Sequence, residues 1–325
     1  MNLKTKYLGL ELKNPIIVSS SPLTKNWEGI KKCADAGAGA IVLKSLFEEQ
    51  MSADLKPATD DQSYFSHPEA EAYVQNMGMT LNSDEYLDLI TKASTELDIP
   101  VLASLNCVNP EWWTTYAVEV ERAGAAAIEL NISLVPDSKK EDAVAMKKRL
   151  IEIIKSVKSK VNIPISVKLG HEFGALPNLL DAIELTGVDG VVLFNRYYQA
   201  DIDLDSLNLK IGKRFSAPEE FLAVLREIAL VSDQTTLDIA ASTGIHTENE
   251  AIKAILVGSS AVQVCSTLFK NKIDQIATIQ SGIENWMKDK GFNSIEEFKG
   301  KLSQKKEDSL KFERLQYIKA LVGTE

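Results

Sequence analysis

The chain has 325 residues, 45% hydrophobic and 25% charged, so it can bury a large core as one big domain or two modest ones. Its formal net charge of -10 argues against a nucleic-acid partner, which needs a basic face to displace counterions, although a compact phosphate ligand stays open. Three cysteines (Cys33, Cys107, Cys265) with no CxxC pair fit free thiols in a reducing compartment, and no apolar run approaches the roughly 20 residues that span a bilayer. The first residues lack a continuous apolar segment and do not read as a signal peptide, so a cytoplasmic protein without membrane contact is expected.

In chain order, Asn14-Pro15-Ile16-Ile17-Val18 predicts a short strand that ends in three serines and Pro22, with a helix from Asn26 to about Ala36. A phrase then begins to recur. Ala36 to Ser45 reads as a helix end with glycine, a branched strand and a polar tip, and similar phrases run from Ala123 to Asn131, Thr186 to Asn195 and Val257 to Cys265. A second phrase alternates with it, at Ile99 to Asn106, Ile163 to Leu169 and, more loosely, Leu237 to Ser242. Helical patterns lie between, at Ser83 to Leu97, Glu111 to Ala123, Lys139 to Lys158, Leu176 to Leu185, Pro218 to Val231 and Thr247 to Leu256.

Strands near residues 16, 41, 101, 128, 166, 192, 238 and 262, alternating with helices, predict a closed (β/α)8 TIM barrel of the α/β class. An open doubly wound sheet is the rival, but G-x-G-x-x-G is missing after the first strand. The whole chain, 1–325, is expected to form one barrel domain. It would carry insertions at about 47–82 and 196–217 over the mouth and a helical tail at about 271–325, whose Lys301 to Arg314 run reads as a solvated helix face.

All eight strand tips of such a barrel converge on one mouth. They read Ser19/Ser20, Lys44, Asn106/Cys107, Asn131/Ser133, Lys168, Asn195, Ser242/Thr243/Gly244 and Cys265/Ser266. A buried lysine must meet an anion or lose its proton, so Lys44 and Lys168 suggest a shared anionic ligand or one Schiff-base nucleophile. The bland alternative for Lys168 is a local ion pair, with Glu129 the nearest carboxylate. Asn131 and Asn195 can both donate and accept, which suits the edge of a heterocycle, or each can cap a turn. Small residues at the last two tips, each followed by a helix, match the barrel's common phosphate site or simply a tight turn. The three histidines have no metal-ligand spacing, His171 alone falls near the mouth, and Trp112-Trp113 reads as packing.

The chain resembles the dihydroorotate dehydrogenase family of FMN-dependent barrels. The resemblance rests on Leu10 to Ile16, Met77-Gly78-Met79, Glu129 to Ser133, Val167-Lys168-Leu169, Ser242 to Ile245 and Lys290 to Ile295. It implies FMN as cofactor and an oxidoreductase that moves hydride between a small cyclic metabolite and the flavin. Ser20 and Lys44 would border the flavin, Asn131 and Asn195 would contact flavin or substrate, and Lys168 would reach the N1/O2 edge of the ring, where a cation favours reduction. Backbone groups at Thr243, Gly244, Cys265 and Ser266 would hold the phosphate, and Lys44, Asn76, Asn131 and Asn195 would face the substrate.

The chain also departs from the family. Leu134 stands where the family has its catalytic Cys or Ser, Pro136 replaces a second asparagine, and Lys213-Arg214-Phe215-Ser216 replaces a glycine-rich phosphate segment. The Asn195 to Asp203 stretch instead resembles a divergent dihydroorotate dehydrogenase-like branch. Ser133, Cys107 and Tyr197 are the residues left that could take a proton, but Ser133 should face away from Leu134. Two other readings are a flavin-free lyase or aldolase using Lys168 and an FMN-binding relative without turnover. No cysteine set for an iron-sulfur cluster is present, and a homodimer is compatible with the sequence.

Overall fold

A computed structural model describes every residue except 48–82, 107–109, 135–138, 140–141, 172, 198, 305–308 and 324–325. Short strands β1 (Thr5–Tyr7) and β2 (Leu10–Leu12) form an antiparallel hairpin that precedes β3 (Ile16–Val18). Helix α1 (Trp27–Asp35) leads to β4 (Ala40–Val42) and the two-residue β5 (Leu46–Phe47). Next come α2 (Ser83–Glu96), β6 (Val101–Asn106), α3 (Pro110–Arg122), β7 (Ala127–Asn131), α4 (Ala143–Lys158) and β8 (Ile165–Leu169). Helix α5 (Leu176–Glu184) and β9 (Gly190–Leu193) precede a second hairpin, β10 (Ala200–Asp203) and β11 (Asn208–Ile211). Then α6 (Phe221–Val231), β12 (Asp238–Ser242), α7 (Glu248–Leu256) and β13 (Ala261–Val264) complete the alternation. Helices α8 (Ser266–Asn271), α9 (Gln275–Lys290) and α10 (Ser309–Val322) form the tail.

The eight strands β3, β4, β6, β7, β8, β9, β12 and β13 pair in that order, all parallel. β13 pairs back on β3 (Val262↔Ile16), which closes the (β/α)8 barrel. The alternating strand pattern produces this directly. Outward residues such as Val191, Leu193, Val262 and Val264 join the large apolar layer beneath the helices, while Ile17, Val42, Leu102, Val192 and Ala240 form a separate cluster inside the barrel.

Tyr7, Leu8 and Leu12 of the N-terminal hairpin belong to that inner cluster and close the barrel floor. The Leu8 N–H donates to Asp238 Oδ2 at 2.7 Å, and Thr5 Oγ1 donates to the Ser260 carbonyl at 3.0 Å. With one end sealed by apolar side chains, the polar strand tips at the other end are the ones open to a ligand.

One expectation about an outer segment changes. Residues 301–304 are turn and coil, tied down by Leu302 N–H to Leu256 O and Gln304 N–H to Ala229 O, so the Lys301 to Arg314 run is not one helix face. The 196–217 insertion contains the β10–β11 hairpin, whose Ile202, Leu204, Leu207, Leu209 and Ile211 are 54–80% exposed. Among the described residues no helix is long and apolar enough to cross a membrane.

Candidate active site

At the C-terminal ends of β3, β8, β9, β12 and β13, five consecutive staves of the barrel, a cavity opens. Its wall includes Ser19, Ser20, Lys168, Asn195, Thr243, Gly244, Gln263, Cys265 and Ser266. Inward-facing positions along parallel strands sit at matching heights, so polar residues spaced by two from the apolar interior form a ring above it.

Lys168 lies at the base of that ring, 5% exposed. Its ammonium donates to Gln263 Oε1 at 2.8 Å, Ser19 Oγ at 3.0 Å and Glu129 Oε1 at 3.3 Å. Glu129 is fully buried and also accepts from Gln263 Nε2. Three acceptors around three N–H donors suit a fixed cation, and they leave no lone pair poised for attack on a carbonyl. The local ion pair with Glu129 is therefore present, and it coexists with a place in the cavity wall. Sequence reasoning missed Gln263. Its signal was a polar residue at an inward position of an otherwise branched strand, Ala-Val-Gln-Val, two residues before Cys265.

Asn131 and Asn195 come together, with Asn195 Nδ2 donating to Asn131 Oδ1 at 2.8 Å. Asn195 is in the cavity wall; Asn131, its acceptor, is not, although it is the register partner of Lys168 between β7 and β8. Ser20 is held in a hydroxyl chain, Ser20 to Ser45 at 3.1 Å and Ser45 to Ser104 at 2.8 Å, across the tips of neighbouring strands.

Lys44 is half-buried and is not part of the cavity wall. Its ammonium sits 5.2 Å from the centre of the Phe47 ring, and burial, then the charge of Lys25, lowers its pKa. Ser133 is exposed, whereas Leu134 is buried in the apolar layer; both lie past the end of β7, so strand alternation does not set their directions. Asn76, Cys107, His67 and Pro136 lie outside the described residues. His171 packs its ring against Phe194 at 4.0 Å, and Trp113 is fully buried in the core.

At the other end of the cavity the chain turns sharply. Thr243 and Gly244 have φ of 78° and 79°, and a Cβ on Gly244 would lie 2.4 Å from the Phe221 nitrogen, so only glycine fits there. Thr243 Oγ1 donates to the Phe194 carbonyl at 3.0 Å and fixes the turn. Cys265 forms the facing wall. Burial raises its thiol pKa, opposed by the nearby Lys168 charge and a hydrogen bond with Ser21.

Of the two helices that follow the last two tips, α8 starts at Ser266 with no side-chain cap, whereas α7 is capped from within. The first turn of α7 is closed by its own capping box: Glu250 Oε2 accepts from the Thr247 N–H at 2.8 Å and the His246 N–H at 3.3 Å, while Thr247 Oγ1 accepts from Asn249 N–H. Arg196, Arg214 and Ser216 of the 196–217 insertion complete the wall at this end. Arg196 pairs with Glu220 at 2.7 Å, and Ser216 bonds His246 Nε2 through its hydroxyl at 3.1 Å. In the sequence these residues showed only as a departure from the family pattern.

A buried lysine–glutamate pair beside two facing asparagines, in a closed barrel, can now be set against proteins of similar sequence. The relatives include the protein named dihydroorotate dehydrogenase B (NAD(+)), catalytic subunit, in three archaea. That of Thermoplasma volcanium is 26% identical over 307 residues, covering 92% of this chain and 98% of the relative. That of Pyrococcus furiosus is 26% identical over 311 residues, covering 94% and 100%. That of Methanocaldococcus jannaschii is 28% identical over 313 residues, covering 92% and 97%. The family model described as dihydroorotate dehydrogenase matches residues 2–287, nearly the whole barrel with its polar mouth, and this chain belongs to that family.

Proposed function

We propose that this chain, acting as a single 1–325 domain, is an FMN-dependent oxidoreductase. It would move hydride between the flavin and a small cyclic metabolite with a CH–CH bond to oxidise or a double bond to reduce. The observation that carries this is the cation of Lys168, held by Ser19, Glu129 and Gln263 at the base of a cavity whose far end is a glycine turn. Bound FMN would supply the two-electron chemistry. Lys168 would stand at the pyrimidine edge of its ring and favour the reduced, negatively charged form.

The residues present fit that group. Among the described residues the N–H groups of Gly244 and Ile245, both in the cavity wall, donate to no protein acceptor. Ser20, Thr243, Cys265 and Ser266 line the same cavity. Lys44, Asn76, Asn131 and Asn195 are assigned to the substrate side. Of these, the Asn131–Asn195 pair has the geometry to hold a planar ligand by donor and acceptor groups together.

Proton transfer is where this chain parts from dihydroorotate chemistry. Leu134 cannot take a proton and is buried among apolar side chains, and Ser133 is exposed. We therefore assign a compound related to dihydroorotate in shape as the preferred substrate; turnover of dihydroorotate itself would need Cys107 or Tyr197 to take the proton. Purified protein should be yellow and release FMN on denaturation, and the flavin should stay oxidised when dihydroorotate is added without oxygen. Rapid bleaching would overturn the substrate assignment, and colourless protein would overturn the cofactor.

We also assign a homodimer formed through the β10–β11 hairpin. Its exposed leucines and isoleucines present on the order of 600 Å² of aliphatic surface, most of the ~800 Å² that each partner brings to a standard interface. The pairs Ala200↔Ile211 and Ile202↔Leu209 place these side chains on one face, which two copies can bury against each other about a two-fold axis. A cytoplasmic location is part of the same reading, and the free thiols of Cys33 and Cys265 suit it.

A further inference from the structure

We propose that Arg214 is the specificity-determining cation of the cavity, the residue by which this chain prefers a phosphate monoester over the same ligand without its phosphate. The inference rests on the flavin reading above and concerns the end of the cavity formed by Gly244, Ile245, Ser266 and the 213–216 segment.

A dianion at that end needs positive charge, and the other sources are already used. The N-terminus of α7 is filled by the Glu250 carboxylate, which would repel an anion brought closer. Lys168 is neutralised by Glu129, and Arg196 is neutralised by Glu220. Lys270 keeps its charge but is not part of the cavity wall, and donates to the Ser216 carbonyl at 2.7 Å. What remains is backbone N–H groups, at Gly244, Ile245 and the uncapped start of α8 at Ser266, and the guanidinium of Arg214, the one formal charge in the cavity wall with no carboxylate within ion-pair distance among the described residues.

The segment carrying Arg214 is fastened to the barrel as a binding element must be. The Ser216 N–H donates to Ser266 Oγ at 3.0 Å, the Ser216 hydroxyl meets His246 Nε2 at 3.1 Å, and Arg196 Nη1 donates to the carbonyls of Lys213 at 3.0 Å and Arg214 at 3.4 Å. Phe215 stacks on Phe269 with ring centres 5.3 Å apart. The backbone of Arg214 is thus fixed on both sides while its side chain remains exposed at the cavity rim. A planar guanidinium offers paired N–H donors that match two phosphate oxygens, and the Ser266 hydroxyl, which accepts from Ser216, keeps its own proton to donate. A segment that in the resembled family supplies glycine amides here supplies a guanidinium.

The test uses full-length protein stripped of flavin and titrated separately with FMN and with riboflavin at low ionic strength, followed by flavin fluorescence. Wild type should bind FMN more tightly. Arg214→Gln should weaken FMN about 10- to 100-fold, as expected for losing a charge-assisted bond to phosphate, while riboflavin affinity stays the same; Arg214→Lys should recover part of the difference. An equal loss for both ligands, or no loss for FMN, would overturn the assignment. If wild type binds neither flavin, the cofactor reading has failed, and calorimetry with inorganic phosphate decides the role of Arg214. Phosphate binding that Arg214→Gln abolishes supports it, and binding absent in wild type or unchanged in the variant overturns it.

Discussion

Replacing Glu129 with glutamine keeps the shape of the side chain and removes its charge, which isolates the ionic part of the Lys168 network. At the 3.3 Å separation seen here, an effective dielectric near 20 puts the attraction at about 5 kcal/mol. Removing one member of a buried pair typically destabilises by ~3–5 kcal/mol, because the other charge stays behind without compensation. The introduced amide can still accept a hydrogen bond from the lysine, so the loss belongs to the lower part of that range. In a chain of this length it should lower the thermal midpoint by roughly 4–6 °C. Adding Lys168→Met to Glu129→Gln removes the orphaned charge and should restore at least half of the lost stability. Scanning calorimetry of the two single variants and the double variant checks this. A shift below about 2 °C for Glu129→Gln, or a double variant no more stable than the single, would refute the ion-pair reasoning.

Gly244→Ala forces a Cβ into Phe221 at a φ of 79°, so it should cost about 1–3 kcal/mol by denaturant unfolding and weaken flavin binding as the turn shifts. His246 supplies a pH dependence. Burial first, and the Lys270 charge second, lower its pKa below the ordinary 6.5, so the folded state favours the neutral ring while the unfolded chain takes up the proton. That contribution is complete above pH 6.5 and declines as pH falls through the folded value. Melting temperatures measured from about pH 7.5 down to about pH 5 should therefore fall more steeply for wild type than for His246→Asn. At the hairpin, Leu204→Asp with Leu207→Asp should convert dimer to monomer in sedimentation velocity without changing the far-UV spectrum; a wild-type monomer would remove the interface.

The barrel was readable because its signal is periodic. Each stave carries branched residues in a run preceded by a helix end, and all eight strands expected from that phrase are present within a residue or two. Helices α2 and α5 begin at the residues expected, Ser83 and Leu176, and α3 begins one residue earlier, at Pro110. The two hairpins did not show: β1–β2 is only three residues a side, and β10–β11 alternates apolar and charged residues with neither face buried, so its pattern is set by no core. For the site, residues at strand tips were legible and their partners were not. Lys168 stood out because a charge inside a strand demands an explanation, but its contacts with Ser19 and Gln263 join residues 149 and 95 positions away. Arg214 lies in an insertion, where no period tells which side chain turns toward the mouth.

The plug beneath the barrel also dictates an order of events during synthesis. Tyr7, Leu8 and Leu12 are made more than 220 residues ahead of Asp238 and Ala261, which belong to their surroundings, and Asn2 bridges to Ser294. At a translation rate of about 5–20 residues per second, roughly ten to fifty seconds pass between the appearance of the hairpin and that of the strands it seals. During that interval its apolar side chains have no permanent place, and the half-built barrel lies open at both ends. The last quarter of the chain is therefore what finishes the first ten residues, and slowing synthesis ahead of β12 should lengthen the time that this segment is exposed to chaperones.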